Sequence, residues 1–434
     1  MRTLSIIFIT TVLFCSCSTN AKIEDPPVEE PQIEEPKIVG QSAITETELR
    51  QFAVNMRNFL DQGNDFAFRL FKQTDKELSE DNLFLSPYSL SCALAMLYNG
   101  AEGETQEEIA KVLGLGDYTA QQVNDYYRTL TKALLEGYLP GITSKSSSAP
   151  LTDIGITNAV WSHTATPAKQ SFVDLVKTYF DAEVRTMDFS LPSSLQAIND
   201  WCKEKTKGTI PHILDELDPP MVLGNAVYFN SPWTVPFEPS ETVEKPFYNR
   251  DGSTSTVQMM HQKELCLQYT RSANYEVVRF PYADEAFAMN ILLPAEGVDI
   301  DDIISRSGDY LRPPVDIAYV TLSMPRFTLK GEEMRLNGVL RAMGMPRAFT
   351  PAAELSAMLD VNAFVGKVLQ KSYIDVSEEG TEASAVSLIV AKVILDDAPP
   401  PPPHVTIEIN RPFLFTITER VTDVTLFMGK ITKL

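Results

Sequence analysis

The residues best suited to acid–base, nucleophilic or metal chemistry are four histidines, His163, His212, His261 and His404, and five cysteines, Cys15, Cys17, Cys92, Cys202 and Cys266. Their spacing supports no catalyst. There is no H-E-x-x-H pair that would set two imidazoles on one helix face around zinc, no G-x-S-x-G nucleophile turn and no Gly-rich phosphate loop. Cys92, Cys202 and Cys266 are widely separated and include no C-x-x-C, so neither a disulfide framework nor a zinc site is expected, and they read as small buried hydrophobes. The histidines read as surface or structural residues. No enzyme, metal or cofactor is called for.

What stands out instead is a mechanical pattern, Glu378-Glu379-Gly380-Thr381-Glu382-Ala383-Ser384-Ala385-Val386-Ser387. Thr381, Ala383, Ala385, Ser387, Ile389, Ala391 and Val393 form one register of small or apolar residues, while Glu382, Ser384, Val386, Leu388, Val390 and Lys392 form the other. Strict alternation suits a half-buried strand. Small side chains are a poor choice for a permanent strand, where β-branched residues fit the pleat better, but they suit a strand that must slide between two others. The pattern alone fits an ordinary Ala-rich strand or short helix equally well. Asp396-Asp397-Ala398 and the proline run 399–403 end the segment, because proline donates no ladder hydrogen bond and stiffens the chain.

The elements that must position this segment lie on both sides of it. Phe52, Met56, Phe59 and Leu60, then Phe66, Leu70 and Phe71, have helical spacing, and Ser86-Pro87 opens another helix through Leu90, Leu94 and Leu97 to Asn99-Gly100. Gly141 to Pro150 is a Ser-rich loop, and Phe172 to Phe180 is helical. Strands are expected at Asp153 to Ser162, Met221 to Phe229, Phe287 to Leu293, Val320 to Met324, Val368 to Val376, Phe413 to Thr418 and Thr425 to Ile431. Helices cluster early and strands late, which predicts an α+β fold. A 434-residue chain with 44% hydrophobic residues can bury a large core. Its net charge of −21 argues against nucleic acid or heparin-like polyanions as partners.

The first residues read as a targeting segment. Arg2 precedes the apolar run Leu4 to Phe14, which is shorter than the roughly 20 residues a membrane-spanning helix needs. The run closes on Phe14-Cys15-Ser16-Cys17, similar to the site where bacterial lipoproteins are cut and lipidated. Small Ser16 makes Cys17 the acceptor, whereas Cys15 follows bulky Phe14. The expected division is a signal over 1–16, an acidic Pro-rich tether over 17–46 that cannot bury enough surface to fold, and one globular domain over 47–434. Ser18 rather than Asp follows the cysteine, so an outer-membrane lipoprotein facing the surface or the periplasm is expected, or a secreted protein if the segment is an ordinary signal.

From about residue 48 onward the chain resembles the serpin family. The hinge Glu-Glu-Gly-Thr-Glu-Ala-Ser-Ala is joined by Asn82-Leu83-Phe84-Leu85-Ser86-Pro87-Tyr88-Ser89, by Trp201 through Pro211, by Asn225-Ala226-Val227-Tyr228-Phe229, by Trp233, by Met324-Pro325-Arg326-Phe327, and by the RPFLFTI and LFMGKI segments of the C-terminus. The resemblance implies a large mainly antiparallel sheet with surrounding helices and an exposed reactive-centre loop. A serine protease cuts that loop, and the loop then inserts into the sheet as a new strand before the acyl-enzyme hydrolyses.

Carried onto this sequence, the resemblance makes Glu378, Gly380, Thr381, Ala383 and Ala385 the hinge, and no blocking charge stands at its inserting positions. Counting sixteen residues from Glu378 places the cut between Ile394 and Leu395, with Lys392-Val393 as the alternative bond. Ile394 implies an elastase-like or subtilisin-like protease, Lys392 a trypsin-like one. Control of sheet opening falls to Ser86, Ser89 and Asn225, with Gln370 where the family usually has histidine. At the top of the sheet Glu378 is expected to pair with Arg326 beside Trp233; a solvated pair of that kind contributes ~1 kcal/mol or less. The expected protein is a monomer and no enzyme; the alternative is a non-inhibitory binding or carrier protein on the same fold.

Overall fold

The computed structural model describes residues 6–17, 44–116, 118–136, 152–217, 221–282, 285–306, 314, 316–330, 333–380 and 401–434. The chain begins with β1 (Ile6–Cys17), α1 (Glu46–Asn55), α2 (Arg57–Leu78), β2 (Leu83–Leu85), α3 (Pro87–Gly100), α4 (Gly103–Leu113) and α5 (Ala120–Glu136). It continues through β3 (Asp153–His163), α6 (Gln170–Phe180), β4 (Glu183–Met187), α7 (Pro192–Lys205) and β5 (Met221–Asn230). A strand-rich stretch follows: β6 (Val243–Tyr248), β7 (Thr254–Arg271), β8 (Tyr275–Pro281), β9 (Phe287–Pro294), then α8 (Ile300–Ser305) and β10 (Asp316–Pro325). The remainder is β11 (Phe327–Lys330), β12 (Met334–Arg335), α9 (Asn337–Met343), β13 (Ala363–Val376), β14 (His404–Glu408), β15 (Phe413–Glu419) and β16 (Thr425–Ile431).

Two sheets organise these elements. The central one runs β11-β13-β1-β5-β3-β4, with the short β12 also beside β13; the other runs β14-β10-β7-β8-β9-β15-β16-β2, with β6 beside β7. Most neighbours are antiparallel, and the architecture is the mixed α and β fold with one large mainly antiparallel sheet that the sequence predicts. Every residue of β5 is buried because both its faces are covered. Met221, Leu223, Val227 and Phe229 belong to the main core, which α3 shares, while Val222, Ala226 and Tyr228 join Trp161 and Trp201 in a second cluster that includes α7 residues. Area burial of this extent is the dominant favourable term in such a fold.

Local signals explain the helix starts nearest the site. Ser86 is the N-cap of α3, accepting from the Ser89 amide, and Pro87 occupies the first turn, where its missing N–H is not needed. Thr45 caps α1 in a reciprocal box with Glu48, so the first helix begins just before the expected boundary at residue 47.

One sequence reading needs restating. Cys266 is exposed, whereas Cys92 and Cys202 are buried. The cause is strand alternation in β7, where Leu265 and Leu267 take the inner face and leave Cys266 on the outer one. The apolar run read as a signal forms β1 in the middle of the central sheet. Its β-branched residues Ile6, Ile7, Ile9, Thr10, Thr11 and Val12 suit an extended strand paired on both edges. The expected tether over 18–43 and the Ser-rich loop over 141–150 lie outside the described residues.

Candidate functional site

The central sheet contains a strand position flanked by β5 on one side and β13 on the other, both antiparallel to the strand between them. Ile6 through Cys15 pair in sequence with Asn230 through Met221, and Ile7 through Cys17 pair with Ile374 through Ala363, with one irregularity between Leu13 and Cys15. At ~3.3 Å per residue, such a slot accepts a strand of roughly 40 Å. Any occupant running from the Asn230 and Ile374 end to the Met221 end has both rows of its backbone polar groups satisfied.

A buried polar layer crosses the slot at mid-height. Gln370 of β13 faces Ser86, donating from Nε2 to the Ser86 carbonyl at 3.1 Å and accepting the Ser86 amide at Oε1 at 3.3 Å. Ser86 Oγ donates to the Leu426 carbonyl at 2.7 Å and accepts from the Ser89 amide at 3.1 Å. Ser89 Oγ donates to Asn225 Oδ1 on β5. Asn225 Nδ2 donates to Asn158 Oδ1 at 2.7 Å, and Asn158 Nδ2 donates to the Phe180 carbonyl at 2.7 Å. These side chains lie at 0–2% exposure, so each hydrogen bond replaces water that is not there. The geometry brings together Ser86, Ser89, Asn225 and Gln370, the four residues singled out from the sequence. Asn158 was missed; its signal was a lone amide in the apolar run of β3, directly in register with Asn225.

A second polar cluster closes the upper end. Arg326 Nη1 lies 3.6 Å from Glu378 Oε2, and the two side chains are 35% and 11% exposed, so the carboxylate is far from a freely solvated partner. Thr242 Oγ1 donates to Glu378 Oε1 at 3.0 Å, a contact the sequence did not reveal, and the Phe237 amide donates to the Glu378 carbonyl at 2.9 Å. Trp233 Nε1 donates to the Ser377 carbonyl at 3.0 Å, and its ring stacks on Tyr282 at 4.6 Å. Just beyond, Gly380 has φ +63°, and a Cβ there would lie 2.2 Å from the Trp233 amide nitrogen. Only glycine fits that turn without movement.

The hinge residues Glu378 and Gly380 therefore sit where β13 leaves the sheet, at the mouth of the slot. Thr381, Ala383, Ala385, Lys392, Val393, Ile394 and Leu395 lie outside the described residues, as does the side chain of Cys17. The described residues continue from Pro401 into β14, parallel to β10.

Chemistry elsewhere is structural in character. His163 lies 3.5 Å from Asp188, His212 contacts Asp215, His261 hydrogen-bonds Ser323 Oγ at 3.0 Å, and His404 stacks on Tyr319. Burial pushes the Cys92 thiol up to about 12, which leaves it a protonated core residue. Among the described residues no group of three or more His, Cys, Asp or Glu is placed to hold a metal ion.

Comparison with known proteins gives a consistent match. Residues 61–434 match the family described as Serpin (serine protease inhibitor). The leukocyte elastase inhibitor of Xenopus laevis is 30% identical over 398 residues, 86% of this chain and 99% of that protein. Serpin A9 of Homo sapiens is 32% identical over 376 residues, 85% of this chain and 87% of that one. The solved structure of the thermophilic serpin tengpin in its native state has a TM-score of 0.73 and 28% identity, covering 95% of this chain and 98% of that chain. Human thyroxine-binding globulin in complex with thyroxine has a TM-score of 0.72 and 28% identity, covering 87% of this chain and 98% of that chain.

Proposed function

Because the chain belongs to the serpin family, non-catalytic pseudo-substrates of serine proteases, we propose that its mature form is a suicide-substrate inhibitor of a serine endopeptidase. The observation that carries this reading is the slot itself, an antiparallel strand position whose mouth lies where Glu378 and Gly380 lead out of β13. The protease serine attacks the carbonyl carbon of Ile394. An ester forms, the Ile394–Leu395 peptide bond breaks, and Leu395 leaves as a free amine carrying the proton delivered by the protease's own base. The loop from Thr381 onward then enters the slot with Thr381, Ala383 and Ala385 on the core-facing side. Fifteen residues at ~3.3 Å each carry the tethered protease roughly 50 Å, and the distorted enzyme is held before water can cleave the ester.

Entry requires the two polar clusters to yield and re-form around the new strand. Ser86, Ser89, Asn225 and Gln370 govern the middle of the slot, and Glu378, Arg326 and Trp233 govern its mouth. Glutamine at 370 carries no titratable proton, so this latch works alike at any physiological pH. Apolar Ile394 suits an elastase-like or subtilisin-like primary pocket.

A carrier role draws support from the likeness to thyroxine-binding globulin. The uncharged small residues at 381, 383 and 385 favour insertion over that role, since nothing in them resists burial. Incubating the processed protein with a protease panel decides between the two: an inhibitor yields an SDS-stable complex with the loop cut, a carrier yields none.

Location completes the proposal. Lipid on Cys17 anchors the mature chain in the outer membrane, with the acidic Pro-rich segment as spacer. Among the described residues no helix is long and apolar enough to cross a membrane. Cys17→Ala should block processing or release the protein to the soluble fraction; retention in the membrane by that variant, with loss on Cys15→Ala, would move the anchor to Cys15.

A further inference from the structure

We propose that Ile6–Cys17 is an internal occupant of the slot that keeps the unprocessed chain from trapping a protease, and that removal of the segment ahead of Cys17 arms it. This rests on the reading that trapping needs the reactive loop in that same slot.

Three observations carry it. First, β1 is hydrogen-bonded on both edges, to β5 and to β13, in the direction a loop leaving Gly380 must take. Two strands cannot share one position, so the cut loop is excluded while β1 is in place.

Second, the register matches the chemistry of the slot level by level. Ile7 is level with Phe229 and Ile374, Ile9 with Val227 and Ser372, and Leu13 with Leu223 and Val368. Thr11, the only polar residue of that parity between Ile7 and Leu13, is level with Asn225 and Gln370, the polar layer. A slip of two residues either way would put an isoleucine or a leucine at the amide layer, and a slip of one would exchange the faces altogether.

Third, the strand and the removable segment coincide. β1 spans 12 residues and ends at Cys17. A cut before Cys17 takes away Ile6 to Ser16, all of the strand but its last residue. A precursor protected in this way would not spend itself on proteases before reaching its destination.

The test uses the full-length chain. Thr10 and Lys371 are opposite one another across β1 and β13, and opposed residues of an antiparallel pair are within disulfide reach at about 4.5–5.5 Å between Cα atoms. Thr10→Cys with Lys371→Cys should therefore close a disulfide in the folded protein, identified by peptide mapping. If the two thiols stay apart, the proposal falls whatever the protein inhibits. Thr11→Arg places a charge beside the buried amides and should expel the strand, lowering the melting temperature and raising SDS-stable complex with the target protease by about tenfold or more. Thr11→Ser, which keeps a hydroxyl at that level, should behave as wild type in both respects. Equal trapping by wild type and Thr11→Arg overturns the proposal. A closed disulfide and a lowered melting temperature, with no trapping by any form, would leave the strand in its slot and overturn the inhibitor reading instead.

Discussion

Gln370 and Ser86, 284 residues apart in sequence, exchange two hydrogen bonds beneath the central sheet, the Gln370 amide oxygen taking the Ser86 N–H and its nitrogen giving to the Ser86 carbonyl. The pair fastens β13 to the N-cap of the most deeply buried helix. Gln370→Ala leaves both Ser86 groups buried without this partner, which costs about 1–3 kcal/mol. Chemical denaturation should register that loss, and the processed variant should convert to an uncut, loop-inserted form faster than processed wild type on warming. Unchanged stability would show that the pair does not hold the sheet.

Gly380 turns tightly against the Pro232–Trp233 backbone. Gly380→Ala forces a methyl group against the Pro232–Trp233 backbone at φ +63°, for a strain of about 1–3 kcal/mol. The melting temperature of the intact protein should fall. Loop-cleaved protein, in which residue 380 has left this turn, should show a smaller difference from its wild-type counterpart. Equal losses in both states would mean the turn survives insertion.

Cleavage of the processed wild-type protein in its loop should raise the melting temperature sharply, since a new strand completes the sheet. Thr381→Arg should abolish that rise and turn the inhibitor into a substrate, because an unpaired guanidinium cannot be buried. Trapping by this variant at wild-type yield would rule out insertion as the mechanism.

The cut position is read directly from the C-terminal fragment. Mass spectrometry after reaction with an elastase-like or subtilisin-like protease should find Leu395 as its first residue. A fragment starting at Val393 moves the working bond to Lys392-Val393 and the target to trypsin-like enzymes.

Glu419 supplies a pH dependence. Its carboxyl is fully buried, and burial pushes it up from 4.5 to about 7 against the pull of hydrogen bonds from Thr422 Oγ1 and the amides of Val421 and Thr422. The folded state thus holds a proton through a window in which the unfolded chain has released it. Stability contributed by that proton is complete below about pH 4.5 and is lost as pH rises through about 7. Neighbouring Asp423 is also raised by burial and adds to the same slope. Melting temperatures should fall between pH 5 and pH 8, and Glu419→Gln should flatten that limb while lowering stability throughout, since its NH2 would meet amide donors. A limb of unchanged slope in the variant would assign the dependence elsewhere.

Much of the site could be read from residue order alone because its signals are local. Ser86-Pro87 states a helix start within two residues, and Met221 to Phe229 reads as a strand from its short apolar run, whereas the hinge at Glu378, Gly380 and Thr381 came from the family resemblance. The family resemblance added which of these segments face one another. Asn158, Thr242 and the exposure of Cys266 were not legible in that way. Asn158 matters only because β3 pairs in register with β5, and Thr242 only because its loop folds over Glu378.

The N-terminal run marks the division most clearly. Its composition established a short apolar segment ending in Cys17, and nothing local distinguishes a leader from a strand paired on both edges. In the tertiary structure the segment pairs as a strand, because β5 and β13 hold out backbone groups that an extended segment between them can pair, with Thr11 at the level of Asn225 and Gln370. Local sequence determines what a segment can be; which of its possibilities is realised depends on the hydrogen-bonding edges that distant segments hold out to it.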